Sequence, residues 1–411
     1  MSTFSGLFEE LPAISADRFL ALNRSESVVF FLSHCHRDHM AGLELPEPLP
    51  GPLYTSPISA VFLKHRFPHL SSGIRTLEIG VATSITLNTD SESREIQVTA
   101  IPAGHCPGSV MLLFENQAHQ QILYTGDFRL SPKDLRNIVP LRTVHLDAVY
   151  LDTTFFNRSF SYFPSQSESL AKISSLATEW LARDERNVVA FKLPALYGSE
   201  FLFVELYRRL KQKIHVRPEE LQQYRYLVSL DDCVTANGKA ARIHACQGTN
   251  PIRTGGWTCS SAKEEHDDSR HVRVIRPSAL RWRNLTEGKP FCRRLSESSE
   301  DYGVCYSNHA SYSELEDFLR YLRPKRVHFN VLPKEDLKAE RRMNRLVEAI
   351  LPKDETVDMT LELAPMSFSG IVYRKSVGKS KPLLSDDDGS GSGQEDEERL
   401  TMLPLPKRMR S

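Results

Sequence analysis

Apolar residues in the first part of the chain gather in short runs: SVVFFLS at 27–33, then SITL, REIQVTAI, SVMLLF, QILYTGDF and LDAVYLDTTF. Each run has the length of a strand and is bounded by Gly, Pro, Asn or Asp, the residues that punctuate turns. Several of these strands open onto loops rich in His, Cys or Gly. Beyond them the spacing changes. SQSESLAKISSLATEWLARD is amphipathic, and its serine-rich start can cap a helix. NVVAFKL reads as a further strand and SEFLFVELYRRLKQK as a helix. Residues 234–300 lose the pattern and become polar, irregular and rich in Arg, Ser and Thr. Order returns with a helix at YSELEDFLRYL, a strand at RVHFNVL and a helix at MNRLVEAIL. From Lys375 onward the chain is rich in Ser, Gly and acids and reads as disordered. Strands alternating with helices predict the α/β or α+β class.

Composition changes this picture little. The chain has 411 residues, 40% of them hydrophobic and 25% charged, which is ordinary for globular proteins. The length suits two or three domains. Seven scattered cysteines show no paired framework of the secreted kind, so a reducing compartment is expected. The start, MSTFSGLFEELPAI, lacks the basic and apolar regions of a signal peptide. No apolar stretch approaches the ~20 residues of a membrane helix, so no membrane partner is expected. The net charge is zero, but Ser385 to Glu398 holds seven acids and no Lys or Arg. Without those seven, the rest of the chain is positive by the same number, which is compatible with a polyanionic partner.

The strongest chemical signal is His34-Cys35-His36-Arg37-Asp38-His39, which places four potential metal ligands in six residues. His34 and His36 share parity and can point to one side of an extended loop. Asp38 and His39 can point to another, so the run can feed two ions side by side. Imidazole with carboxylate suits zinc and similar borderline ions. The remaining ligands should interrupt apolar runs at other strand ends. His105, in ProAlaGlyHisCysProGly, follows REIQVTAI, and Asp127, in TyrThrGlyAspPhe, follows QILY. Alone, each would more often be a turn residue; beside the first cluster, each is a candidate ligand.

His-x-His-x-Asp-His, a lone His after a strand and an Asp in a ThrGlyAsp turn together resemble the metallo-β-lactamase superfamily. The resemblance implies an αββα sandwich with metals at one edge. It implies that His34, His36 and His105 bind a first zinc, that Asp38 and His39 bind a second metal, and that Asp127 bridges. Asp17 matches an early acidic residue that supports the site from behind its ligands; without the resemblance it reads as a helix N-cap.

The superfamily includes lactamases, thioesterases and nucleases, so fold alone does not fix the substrate. ValTyrLeuAspThrThrPhe (149–155) resembles the acidic motif that opens the β-CASP region of its nucleases, and TyrSerAsnHisAlaSerTyrSerGluLeu (306–315) resembles their later histidine motif. Read without the resemblance, Asp152 is a strand-end acid and His309 a helix-capping residue. PheAsnValLeuPro (329–333) matches the last motif, with Val331 where RNA-processing relatives carry a metal-binding His. The flanking sequences, IleProAlaGlyHisCysProGlySerValMet (101–111) among them, resemble the Artemis-like branch of DNA nucleases more than its cross-link-repair exonuclease cousins. Four segments are then expected: 1–155 as the first part of the metallo-β-lactamase domain, 156–302 as an inserted β-CASP domain, 303–374 as the return, and 375–411 as an acidic disordered tail. The likeness runs from the start to about residue 350 and is weak between 156 and 300. In that weak region His244 and Cys246 form a close soft-ligand pair, with His215 and Cys259 on either side. Two His and two Cys can close a tetrahedral zinc, although the spacing is not that of a common finger. The resemblance implies a structural zinc there, leaving Cys233, Cys292 and Cys305 as buried thiols.

By the same resemblance the activity is metal-dependent cutting of DNA. The function expected is an endonuclease that opens hairpins and trims overhangs in end joining, acting in the nucleus. His309 is assigned as general acid, oriented by Asp152, while Asp38 belongs to both the catalytic and the metal set. Zinc is expected at the catalytic and structural sites, and magnesium or manganese at the second catalytic position, which Val331 leaves short of a ligand. Ser311, Tyr312 and Ser313 are candidates for phosphate contact. So are two basic runs: Arg208, Arg209, Lys211 and Lys213, then Arg270, Arg273, Arg276, Arg281 and Arg283. Pro194 stands where the family commonly has Lys. The expected partners are DNA, the DNA-dependent protein kinase and the end-joining ligase complex. The competing readings are a 5′-to-3′ exonuclease of cross-link repair, an RNA-processing enzyme, a thioesterase-type hydrolase and a non-catalytic repair scaffold.

Overall fold

In a computed structural model of the chain, residues 2–352 are described except 194–197, 225–226, 228–229, 231, 247–258, 260–270, 334–335 and 337, together with two-residue strands at 373–374 and 401–402. The acidic block at 385–398, Pro194 and Arg270 lie outside the described residues.

The first sheet is wholly parallel and follows chain order: β1 (Ala13–Ala16), β2 (Ser27–Leu32), β3 (Leu53–Thr55) and β4 (Ile74–Thr76). The second sheet begins as an antiparallel meander: β5 (Ala82–Asn88), β6 (Ser93–Pro102), β7 (Val110–Glu115) and β8 (Gln121–Tyr124). β9 (Leu146–Leu151) then joins β8 in parallel. Strand side chains alternate between faces, and the alternation here builds three separate cores. Val29 and Phe31 of β2 meet Val110, Leu112 and Phe114 of β7 and Ala148 and Tyr150 of β9 between the sheets. Phe30 and Leu32 face the other way, onto Ile58, Phe62 and Leu63 of the helix Pro57–Arg66. Met111, Leu113, Val149 and Leu151 meet Leu315, Phe318, Leu319, Met343 and Ile350 from the helices Tyr312–Leu322 and Ala339–Ile350. Helix, sheet, sheet, helix is the layered sandwich expected.

After β9 the chain leaves for a third sheet. Its strands are β10 (Val188–Phe191), β11 (Ile214–His215), β12 (Val234–Thr235), β13 (Ile243–His244), β14 (Val272–Pro277), β15 (Cys292–Arg294) and β16 (Asp301–Val304). Their order is β12-β11-β13-β10-β14-β16-β15, and only β15 runs antiparallel to its neighbour. The helix Gln166–Arg183 packs beside it, started by a capping box in which Ser165 and Glu168 satisfy each other's backbone N–H groups. β17 (Arg326–Phe329) then returns to pair with β9 in the second sheet.

The expectation of irregular polar chain over 234–300 is corrected by β14, which sits inside this sheet with Val274 and Ile275 buried. A buried arginine hides it in the sequence. Arg273 is 1% exposed, donates to Glu300 and Leu176, and lies between the Trp180 and Tyr302 rings. Its charge is matched and its donors used, so it occupies a core position that hydrophobic spacing cannot reveal. No helix among the described residues is long and apolar enough to cross a membrane.

Candidate metal centre

Loops following β2, β6 and β8 converge at one edge of the sandwich. His34 and His36 follow β2, His39 ends a short 3-10 turn at Arg37–His39, His105 follows β6, and Asp127 follows β8. His36 Nδ1 lies 3.0 Å from His34 Nε2 and 2.9 Å from His105 Nε2. Asp127 Oδ2 is 3.6 Å from the former and 3.5 Å from the latter. Ligands about 2.0–2.2 Å from a tetrahedral zinc stand roughly 3.3–3.5 Å apart, so these four atoms fit one ion. They are too crowded to be four independent polar groups.

The nitrogens facing away from that point are already used. His105 Nδ1 donates to the Asn308 carbonyl at 2.9 Å, and His34 Nδ1 bonds Ser33 Oγ at 2.9 Å. Burial, with neighbouring imidazoles adding to it, holds both histidines well below the ordinary range. Neutral rings with occupied outer nitrogens present lone pairs inward.

A second position lies beside the first. His39 Nε2 is 3.4 Å from Asp127 Oδ1 and 3.9 Å from Asp38 Oδ2. It is a buried nitrogen without a hydrogen-bond partner among the described residues, the kind of atom a cation satisfies. Its other nitrogen is held by Asp17 at 2.7 Å. Asp17 also accepts from the Ser33 backbone at 2.7 Å and the Tyr124 hydroxyl at 2.7 Å, so one buried carboxylate braces three strand ends. It adopts φ 54°, a left-handed conformation uncommon outside glycine. Asp38 stands at the rim, a third exposed, with Oδ2 accepting from the Ser2 backbone N–H at 3.1 Å. Val331 offers no ligand atom; its backbone exchanges hydrogen bonds with Thr153 Oγ1. This position therefore has fewer protein donors than the first.

His309 and Asp152 complete the edge. His309 Nδ1 is 2.8 Å from Asp152 Oδ2, and its Nε2 is 4.0 Å from Asp127 Oδ2. Burial opposes charge on the imidazole, but Asp152 and Asp127 outweigh it and push His309 up to about 9. Burial also opposes charge on Asp127, yet His39 and His309 hold it well below the carboxylate range. The loop carrying His309 is secured by Arg129, a buried guanidinium that donates to Ser307 O, Pro164 O and Glu314.

Two of the phosphate candidates have other work. Ser311 is buried as an N-cap, its hydroxyl accepting from the Glu314 backbone, and the Tyr312 ring is buried in the core beside Phe156. Only Ser313 is exposed. The basic runs divide similarly: Arg208 and Arg209 pair with Glu205, Arg276 with Asp301, and Arg273 is internal. Arg281 and Arg283 remain exposed and make no ion pair among the described residues, as does Arg158. Arg283 lies 5.1 Å over the Phe160 ring, part of an aromatic group that reaches Phe155, 6.1 Å from the His309 ring. Sequence reasoning does not single out Arg158, Tyr124 or Asn308, although the last two sit inside the motifs that carry the resemblance.

The third sheet carries a separate cluster at the ends of β11 and β13. His215 Nδ1 is 3.2 Å from His244 Nδ1 and 3.4 Å from Cys259 Sγ, and Cys246 Sγ is 3.8 Å from Cys259 Sγ. Zinc bonds of about 2.0–2.1 Å to nitrogen and about 2.3 Å to sulfur imply tetrahedral edges of roughly 3.4, 3.6 and 3.8 Å, which these distances approach. His244 Nε2 donates to Ala241 O at 3.0 Å, directing Nδ1 inward. Cys233 and Cys305 are buried thiols as expected, but Cys292 is half-buried on an edge strand.

Comparison with known proteins points to a family. A family model described as DNA repair metallo-beta-lactamase matches residues 228–335. The chain is 35% identical to Protein artemis of Rattus norvegicus over 351 residues, covering 81% of this chain and 49% of that protein. It is 35% identical to Protein artemis of Homo sapiens over 372 residues, covering 86% and 52%. It is 33% identical to 5′ exonuclease Apollo of Mus musculus over 310 residues, covering 75% and 52%. The chain spans about half the length of the curated relatives it matches.

Proposed function

The chain belongs to the DNA-repair metallo-β-lactamase family, with an Artemis-like metallo-β-lactamase and β-CASP organisation, and on that premise we propose that it is a zinc-dependent endonuclease. Its substrates are DNA hairpins and overhangs, and its setting is double-strand break repair in the nucleus. The observation that carries the reading is the ligand cage at His34, His36, His105 and Asp127 with the His309–Asp152 pair beside it, His309 Nε2 being 4.0 Å from Asp127. A divalent cation held there supplies Lewis-acid activation of water and neutralises charge on the phosphate.

The side chains supply the rest. Asp127 is ionised and offers one oxygen to each position. His39 and Asp38 form the second position, braced by Asp17, and its thin donor set suits magnesium or manganese as well as zinc. His309 carries a proton at neutral pH and delivers it from Nε2 to the departing alkoxide, while Asp152 fixes the ring and its charge. Exposed Arg158, Arg281 and Arg283 hold phosphates along the aromatic group, and Ser313 can add a contact. His215, His244, Cys246 and Cys259 hold a structural zinc in the domain inserted at 156–302. Partners in the setting proposed are the DNA-dependent protein kinase and the end-joining ligase complex.

Likeness to 5′ exonuclease Apollo favours a second reading, digestion from a 5′ end. A labelled hairpin, a 3′-overhang duplex and a duplex with both 5′ ends blocked separate the two. Cutting of the hairpin and blocked duplex is the expected result. Products from free 5′ ends alone would leave the exonuclease, and no cutting by zinc-loaded protein would overturn both.

A further inference from the structure

One segment of the inserted region touches the first metal position from behind. The turn at Gly198 enters the helix Glu200–Leu210 and has φ +105°. A methyl group on Gly198 would stand 3.2 Å from His36 Nε2 and 3.4 Å from Asn308 Nδ2. Because His36 Nδ1 faces the other ligands, the Gly198 backbone lies against the ring's outer side. Asn308 connects the same turn to a second ligand. Its Nδ2 donates to Gly198 O at 2.7 Å, its Oδ1 accepts from Gln166 Nε2 at 3.2 Å, and its backbone carbonyl accepts from His105 Nδ1 at 2.9 Å. The turn is itself held from below, where the Gly198 N–H donates to the buried Glu200 carboxylate at 2.7 Å.

Two of the three histidines at the first position thus take their orientation from contacts with, or through, the inserted region. Gln166 and Gly198 both belong to that region, and Asn308 stands between them and His105. We propose that the Gly198 turn and Asn308 form a positioning clamp, by which seating of the inserted region on the sandwich sets the orientation of His36 and His105 and so the metal affinity of the first position. The arrangement follows the rule that groups behind a ligand fix its tautomer and angle. It differs from an ordinary support because the supporting atoms come from another domain: loosening that contact loosens the metal. Neither residue belongs to the ligand set, so both are positioning residues.

The clamp rests on the reading of the His34, His36, His105 and Asp127 set as a metal site, and cobalt(II) tests the two ideas separately. Cobalt loaded into the full chain gives ligand-field bands at any tetrahedral site, and those that are lost in His34→Ala belong to the histidine site. Sulfur-to-cobalt charge transfer comes only from a thiolate site, so it reports the Cys246 and Cys259 position independently. Gly198→Ala places one methyl group against His36; Asn308→Ala removes both side-chain bonds at a half-buried position and leaves the core intact. The expected result is a loss of cobalt affinity at the histidine site of about 10-fold for Gly198→Ala and a smaller loss for Asn308→Ala. The charge-transfer band and the unfolding midpoint of Asn308→Ala should match the unmodified protein. On a hairpin substrate at limiting metal, Asn308→Ala should lower kcat and leave KM alone, since no DNA contact is removed. Unchanged ligand-field bands and cobalt affinity in Asn308→Ala would overturn the clamp while leaving the metal site standing. Ligand-field bands that His34→Ala leaves unchanged would overturn the metal site, and the clamp with it.

Discussion

Two histidine clusters stand at strand ends in this molecule, and they differ in what surrounds the ligand atoms. At His215, His244, Cys246 and Cys259 the candidate donors are two nitrogens and two sulfurs, no carboxylate among the described residues joins them, and three of the four residues are fully buried. At the sandwich edge the candidate donors are nitrogens and oxygens, Asp127 faces two positions, and His309, its pKa pushed up by Asp152 and Asp127, stands 4.0 Å from it. The first set is closed around one point. The second is short of a donor at its last loop, where Val331 offers nothing, and it faces solvent through Asp38. Closure gives a staple; deficiency leaves room for water and phosphate. The contrast predicts that damage to one set appears as lost stability and damage to the other as lost rate.

The largest effect should come from His309→Ala. Removing a general acid typically costs about 10²–10⁴-fold in rate. Cutting of a hairpin should fall by that amount while zinc content and melting temperature stay near those of the unmodified chain. Loss of zinc from the edge site in this variant would show that His309 is a ligand, and the division between the sets would fail. Next in size is Cys246→Ser. It should lower the melting temperature by about 5–10 °C, because a structural zinc contributes its binding energy to folding. Activity per folded molecule should change little. An unmoved midpoint would remove the staple from the comparison.

A pH profile sharpens the same contrast at the edge site alone. His309 must be protonated to act, and its folded pKa is raised to about 9, so kcat should fall as pH rises through that region. A cation on Asp127 neutralises one of the two carboxylates responsible and draws the limb to lower pH. Asp152→Asn removes the other and should draw it lower still, by about a unit or more. An alkaline limb that ignores Asp152→Asn would take His309 out of the rate-limiting proton transfer.

How much of this is legible in the sequence depends on whether neighbours in space are neighbours in the chain. The strands are legible because they are bounded by turn residues, while their assembly into a sandwich is legible only through the resemblance. The candidate ligands His34, His36 and His39 are legible because three imidazoles within six residues are far more than a solvated loop needs. His105 and Asp127 become legible only beside that cluster, since each alone is a lone polar residue after a strand, and Asp152 needs the resemblance. β14 is not legible, because Arg273 interrupts its apolar pattern from a core position. Ser311 and Tyr312 mislead because nearness to His309 in sequence says nothing of facing: one caps a helix and the other fills a core. Asn308 escapes notice for a similar reason. Its carbonyl, which any residue could supply, holds His105, and only its contacts with Gln166 and Gly198 make the side chain matter.

The smallest effect expected lies where the two regions meet. Glu200 is fully buried below the Gly198 turn, with the Tyr224 hydroxyl against its carboxyl. Burial raises its pKa to about 8, against the weaker pull of the hydrogen bonds it accepts. In the unfolded chain it titrates as an ordinary carboxyl near ~4.3. Between those two values the folded protein holds a proton that the unfolded chain has released. Stability must therefore fall as pH rises across that window, by linkage. Glu200→Gln fixes the neutral form. Its melting temperature should match the unmodified chain at pH 5 and exceed it at pH 8 by about 3–6 °C. The edge ligands are not altered by this change, so their zinc content should stay the same at both values. If the two melting curves shift together with pH, Glu200 is ionised in the folded state, and the turn at Gly198 is held by a charge rather than by a neutral carboxyl.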